Sequence, residues 1–192
     1  MPGETGIWTK EEAREHHDFS YRLAQWIGAY FEKNEALIDF GCGPGSYLRY
    51  LHDIGYKHLL GVEGEKLNFE YGNVIVWDLC ERTAPEVVPG FGSGWAGFNS
   101  ICLEVGEHIP EVFLPVFLDN LAMYTRNRIV LSWGVPGQDG IGHVSCRHNI
   151  WVIDQMEKRG FKLLAEDSLK ARAVVEERLN YFRNTIMIFQ KK

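Results

Sequence analysis

The stretch Leu37-Ile38-Asp39-Phe40-Gly41-Cys42-Gly43-Pro44-Gly45-Ser46 constrains this chain more than any other. An apolar segment that reads as a strand, Ala36–Phe40, runs into glycines spaced Gly-x-Gly-x-Gly and then into a helical pattern over Tyr47–Ile54. Glycines at such a turn allow positive φ and let a ligand approach the backbone. The helix N-terminus beyond them favours negative ligand groups. The spacing is not the Gly-x-Gly-x-x-Gly of dinucleotide folds, because Ser46 stands where the last glycine would be. Asp39 sharpens the reading. A carboxylate at that strand end repels a pyrophosphate and welcomes an ammonium or a sulfonium.

Two more acids follow at successive strand ends. The run Leu59–Val62 leads into Glu63-Gly64, and Glu63 lies 22 residues after Gly41, where an acidic group can hold ribose hydroxyls. The run Val74–Trp77 leads into Asp78-Leu79. Asp78 can accept from an adenine amino group, with Leu79 beside the ring. The three strand ends together describe a pocket for a cationic amino acid, a ribose and an adenine.

The remaining pattern alternates in the same way. Strands are expected over Phe98–Val105, Arg128–Trp133, Phe161–Ala165 and Thr185–Gln190. Helices are expected over Glu111–Tyr124, Asn149–Arg159 (stopped by Gly160) and Ser168–Leu179. At the front, Thr9 and Glu12 form a capping box that opens a helix expected over Lys10–Lys33. Strands alternating with helices make an α/β fold, a parallel sheet with helices on both faces, and such sheets bind ligands at the carboxyl ends of their strands. At 192 residues the chain suits one domain, since domains run to roughly 100–200 residues. Residues 1–34 form the leading helical region and 35–192 the core.

Composition removes several alternatives. There are 26 acidic against 20 basic residues, a formal charge of −6, which argues against a protein held to nucleic acid by phosphate charge. The chain lacks the run of about 18 apolar residues that a membrane span needs. Met1-Pro2-Gly3-Glu4 is not a basic segment leading into an apolar one, as a secretory leader would be. Cys42, Cys80, Cys102 and Cys146 are widely spaced and form no Cys-x-x-Cys pair. Reduced thiols and a cytoplasmic location follow. Neither a membrane nor a nucleic acid is an expected partner, and oligomeric state is left open.

With Asp39-Phe40-Gly41-Cys42-Gly43-Pro44-Gly45, Glu63 and Asp78 in place, the chain resembles the class I S-adenosylmethionine-dependent methyltransferases from about Glu35 to its end. The resemblance implies a three-layer α-β-α Rossmann-like fold. Its sheet has seven mostly parallel strands in the order 3-2-1-4-5-7-6, the last strand antiparallel. It implies S-adenosylmethionine as donor and S-adenosylhomocysteine as product. The donor contacts carried over are Asp39, Gly41, Cys42, Gly43, Gly45, Ser46, Glu63, Gly64, Asp78, Leu79, Glu104 and Val105. Members of the family often use a leading helix as a lid, which would bring His17, Phe19 and Tyr21 near the donor. Two departures stand out. The stretch from Glu63 to Asp78 is short for a crossover helix, and Val88–Phe98, rich in glycine and aromatics, reads as either a loop near the site or a surface turn.

The acceptor side is expected after the fourth strand, in Leu103-Glu104-Val105-Gly106-Glu107-His108-Ile109-Pro110. Methyl transfer depends mainly on positioning, with a base to take the acceptor's proton; His108 suits that role. The spacing Glu104-x-x-Glu107-His108 also suits a divalent cation. It is similar to the Glu-x-x-Glu-His of ubiquinone-biosynthesis O-methyltransferases and small-RNA 2′-O-methyltransferases, in which a later His completes a metal site. His143 stands in the corresponding region. Three readings stay open for Glu104, Glu107, His108 and His143: donor lining and catalytic base, metal ligands, or capping acids with a packed histidine. Long irregular loops after a strand are usually functional, so Trp133, Gln138, His143 and Arg147 are the acceptor-side candidates. No Asn/Asp-Pro-Pro-Tyr/Phe motif or Pro-Cys nucleophile follows the fourth strand, which argues against methylation of DNA bases. A small-molecule O or N acceptor is expected first. An RNA end, a protein side chain, or a non-catalytic S-adenosylmethionine-binding subunit are the alternatives.

Overall fold

The structure, a computed structural model, describes residues 3–67, 69–82 and 98–192. Of the glycine- and aromatic-rich segment Val88–Phe98, residues 88–97 lie outside them. Seven strands among the described residues form one sheet: β1 Ala36–Phe40, β2 Leu59–Glu63, β3 Val74–Val76, β4 Phe98–Cys102, β5 Arg128–Leu131, β6 Phe161–Leu163 and β7 Met187–Lys191. Their order is β3-β2-β1-β4-β5-β7-β6. All neighbours run parallel except β7, which is antiparallel to both β5 and β6. Order and directions agree with the expected fold.

The described residues also form seven α-helices, α1 Lys10–His16, α2 Tyr21–Tyr30, α3 Ser46–Asp53, α4 Leu114–Tyr124, α5 Asn149–Lys158, α6 Ala165–Val174 and α7 Phe182–Thr185, and two short 3-10 helices, Glu111–Phe113 and Glu177–Leu179. Strand alternation divides the core between the two faces of the sheet. Ile38, Phe40, Cys102, Ile129 and Leu131 pack with Phe117 and Leu121 of α4 and Val152 and Met156 of α5. Leu37, Ile101, Val130 and Ile188 pack on the opposite side with Leu23 and Ile27 of α2, Leu48 and Leu51 of α3, and Ala171 of α6. Every residue of β1 is buried, as a central parallel strand covered on both sides must be. All four cysteines are free. No helix among the described residues is long and apolar enough to cross a membrane.

Several expected boundaries shift, each for a local reason. The single helix expected over Lys10–Lys33 is two helices. Ser20 is extended (φ −98°, ψ 108°) and caps α2 through its hydroxyl, which accepts from Leu23 N; its own N–H donates to the Tyr47 hydroxyl at 3.2 Å. A serine placed to cap competes with helix continuation. The expected helix over Ser168–Leu179 starts earlier, at Ala165, and stops at Val174. Glu176 is extended there and accepts from Arg22 N at 2.9 Å and from the Ser20 hydroxyl. The strand expected from Phe98 to Val105 ends at Cys102, because Glu104 takes a left-handed φ of 53° and leaves the ladder. The last strand begins at Met187 because α7 occupies Phe182–Thr185.

Candidate active site

A cavity of about 520 Å³ opens at the carboxyl ends of β1, β2 and β4, within the 300–1,000 Å³ range usual for small-ligand sites. Its floor is the glycine turn. Gly41 and Gly43 have φ of +69° and +53°, conformations that side chains rarely adopt. The N–H groups of Gly41 and Cys42 both donate to Val62 O, at 2.8 and 3.0 Å, tying the turn to β2. Space closes over it as well: a Cβ on Gly41 would lie 2.5 Å from Val105 Cγ2.

Two carboxylates flank this floor. Glu63 accepts from Gly43 N and Gly64 N, each at 2.8 Å. Burial raises its pKa, and those amide bonds oppose the rise. Asp39 is 4% exposed. Burial, then the charge of Glu63, holds its carboxyl well above the usual range. Asp78 accepts from Cys80 N at 2.8 Å and lines the cavity with Leu79.

Asp39, Gly41, Cys42, Gly43, Glu63, Gly64, Asp78, Leu79, Glu104, Val105 and His17 all face this one cavity. Gly45, Ser46 and Phe19 do not line it. Gly45 is the left-handed N-cap of α3, the Ser46 hydroxyl donates outward to Glu70 at 3.4 Å, and Phe19 packs edge-on against Tyr47. Tyr21, expected near the donor, is 53% exposed and meets Tyr50.

On the acceptor side, Glu107, His108 and His143 bring ligand atoms within 4.8 Å of one another. The loop after β5 is pinned here by its backbone: Val144 N and Ser145 N both donate to Glu107 O at 2.8 Å. The Glu107 side chain is fully buried, and neither carboxylate oxygen has a hydrogen-bond partner. Burial, with Glu104 nearby, pushes its carboxyl up. Glu104 is not part of that cluster. It accepts from the Gln138 amide and from Thr185 Oγ1 at 3.3 Å. His108 is lowered to about 4 by burial and by His143, so its ring is neutral at neutral pH. Trp8 Nε1 donates to its Nδ1 at 3.4 Å.

Two expected acceptor-side residues lie elsewhere. Trp133 is fully buried and donates to Ser145 O at 2.8 Å, so it supports the loop from below. Arg147 pairs with Glu111 at 2.7 Å and sits over the Trp151 ring. Gln138 and His143 do line the cavity. Sequence reasoning missed Thr5–Trp8, Tyr47, Tyr181 and Phe182, which also line it. The first segment is locked down by close contacts: a Cβ on Gly64 would lie 2.6 Å from Ile7 Cγ1, and one on Gly6 would lie 2.1 Å from His108 O. A glycine two residues before a tryptophan, just ahead of a capping box, was the available signal.

No family model matches the chain, and no curated protein matches it by sequence. Solved structures do match. Magnesium protoporphyrin IX methyltransferase from Synechocystis PCC 6803, with bound S-adenosylhomocysteine, superposes with TM-score 0.61 at 17% identity, covering 88% of this chain and 80% of that one. A TehB-like S-adenosylmethionine-dependent methyltransferase from Corynebacterium glutamicum gives 0.59 at 18%, covering 95% and 93%.

The chain has the class I methyltransferase fold.

The small-RNA methyltransferase HEN1 shares this methyltransferase fold with TM-score 0.58 at 17% identity, over 88% of this chain and 25% of that one. Identities this low carry the architecture alone, and fold does not imply function.

Proposed function

We propose that this protein is an S-adenosylmethionine-dependent methyltransferase acting on an oxygen or nitrogen of a small-molecule acceptor. The observation that carries the reading is the pair Asp39 and Glu63, one buried and one half-buried carboxylate beside one glycine turn. Two such acids repel each other without a cation between them. A donor bearing an ammonium and a sulfonium answers that charge, and the ribose hydroxyls suit Glu63. Asp78 and Leu79 suit the adenine. When bound, the donor supplies an electrophilic methyl group on sulfur. The chain's part is to align the acceptor with it and to remove a proton. His108 is the base in reach: neutral at neutral pH, it takes that proton from the acceptor atom at Nδ1, the acceptor replacing the long contact from Trp8 Nε1.

Glu107, His108 and His143 also fit a divalent cation, because their ligand atoms lie within 4.8 Å of one another and no hydrogen bond of ordinary geometry ties down the buried oxygens of Glu107. Such an ion would orient an acceptor hydroxyl and lower its pKa. Residues 1–34 act as the lid of a single methyltransferase domain, and the free thiols suit a reducing cytoplasm.

Calorimetry with S-adenosylmethionine and S-adenosylhomocysteine tests the donor site. Asp39→Ala and Glu63→Ala are each expected to abolish binding; normal affinity in both overturns the assignment. A turnover screen over mixed metabolites for S-adenosylhomocysteine release separates an enzyme from a subunit that only binds the donor.

A further inference from the structure

The described residues lining the cavity include six carboxylates, Asp18, Asp39, Glu63, Asp78, Glu104 and Asp139, and no lysine or arginine. Residues 83–97 contain neither type in sequence. Arg178 is paired with the lining residue Asp18 at 3.5 Å, and Arg147, which does not line the cavity, is paired with Glu111 at 2.7 Å. Asp39, Glu63 and Asp78 belong to the donor end. Asp18, Glu104 and Asp139 are the other lining carboxylates, the charge of Asp18 being offset by Arg178. Asp18 is held by the Tyr181 hydroxyl at 2.8 Å, and Glu104 by Gln138 and Thr185.

Aromatic rings stand among these acids in the cavity lining. The Trp8 ring meets His108 edge-on at 5.0 Å, and His108 meets His143 edge-on at 5.0 Å. Tyr181 and Phe182 line the same cavity. Rings of this kind favour a planar partner through edge and stacking contacts, and a cationic partner through their faces. Among the described lining residues a carboxylate or phosphate would find negative charge and no lysine or arginine, the nearby Arg178 being already paired with Asp18. A divalent ion on Glu107, His108 and His143 would add positive charge at one point, but the phosphates flanking an RNA end would still meet Glu104 and Asp139.

We propose that the acceptor is an uncharged or cationic aromatic compound presenting a hydroxyl or amine, and that carboxylate- and phosphate-bearing acceptors, RNA ends included, are rejected. The inference rests on the methyltransferase reading and narrows its substrate class.

The test is ligand-observed NMR on the full chain saturated with S-adenosylhomocysteine. Matched probes share a ring and differ in charge: tyramine, 4-ethylphenol and 4-hydroxyphenylacetate, then tryptamine, 3-methylindole and indole-3-acetate. Cyclohexylethylamine supplies the charge without an aromatic ring, and a short single-stranded RNA supplies phosphates. The amines and neutral rings are expected to bind about tenfold or more tightly than the matching acids, the scale set by a like-charge contact. The gap should narrow in Asp139→Asn. Acids binding as well as amines, cyclohexylethylamine matching tyramine, RNA binding most tightly, or no ring compound binding would each overturn the proposal. If S-adenosylhomocysteine itself fails to bind, the methyltransferase reading falls, and the same probes on the free protein still decide the charge preference.

Discussion

The ring of His17 lies directly on the glycine turn: its Nδ1 is 2.6 Å from where a Cβ on Gly43 would stand. The turn therefore has no room for a side chain, and Gly43 is also left-handed at φ +53°. Gly43→Ala is expected to cost on the order of 1–2 kcal/mol in backbone strain alone, and to push His17 off the cavity wall. The checks are a melting temperature several degrees lower and a clearly weaker S-adenosylhomocysteine dissociation constant. An unchanged constant would mean that His17 and Gly43 do not shape the donor site.

Asp39→Asn separates stability from binding. Because the folded-state pKa of Asp39 is raised, the folded chain holds its proton more tightly than the unfolded chain does. Stability therefore falls as pH rises from the unfolded carboxylate range through the folded value. Removing the charge is expected to leave the free protein at pH 7 as stable as the wild type or more so. Donor affinity should drop by roughly 10- to 100-fold, the scale of a lost charged partner. Thermal melts and calorimetry on the same sample decide it; lower stability with intact binding would contradict the assignment.

His108 sets an acid limit of the opposite kind. Its pKa is lowered from 6.5 to about 4 in the fold, so below pH 6.5 the unfolded chain binds the extra proton first. Stability from this group is complete above pH 6.5 and is lost as pH falls toward 4, on the order of 3 kcal/mol in all. His17, lowered to about 4 by burial, acts in the same window. A melting temperature that declines between pH 6.5 and 4, and declines less in His108→Gln, is the expected result.

Glu107 offers a test of the cation. Protein purified without chelator is expected to gain thermal stability on addition of Mn²⁺ and to lose it with EDTA, as binding to the folded state alone requires. Glu107→Gln removes the buried charge, so the free protein should be at least as stable while the response to Mn²⁺ disappears. Metal analysis showing no bound ion, with activity indifferent to EDTA, would leave His108 as a base acting alone.

The donor half of the site was legible because its signals are local. Asp39 and the glycines lie within one turn, and Glu63 and Asp78 each end a strand whose apolar run is plain. The sheet order followed from the family resemblance and the alternation of elements. The rest depended on contacts between distant segments. Ser20 breaks the leading helix through bonds to Tyr47 and Glu176, which no 3.6-residue period reveals. Ile7 and Trp8 reach the cavity only because Gly64 and His108 leave space or a partner for them. Trp133 and Arg147 had the right position after a strand, but burial and a pairing with Glu111 take them out of the site.

The left-handed residue Glu104 has a further consequence. Its carboxylate joins Gln138, from the loop after β5, to Thr185, at the end of α7. Three stretches far apart in sequence thus share one side chain at the rim of the cavity. A change in the acceptor loop at Gln138 is therefore felt at α7, which leads into the chain's final strand. Substitution of Gln138 or Thr185 alone should loosen the other's hold on Glu104, so that the acceptor loop and α7 respond as one unit.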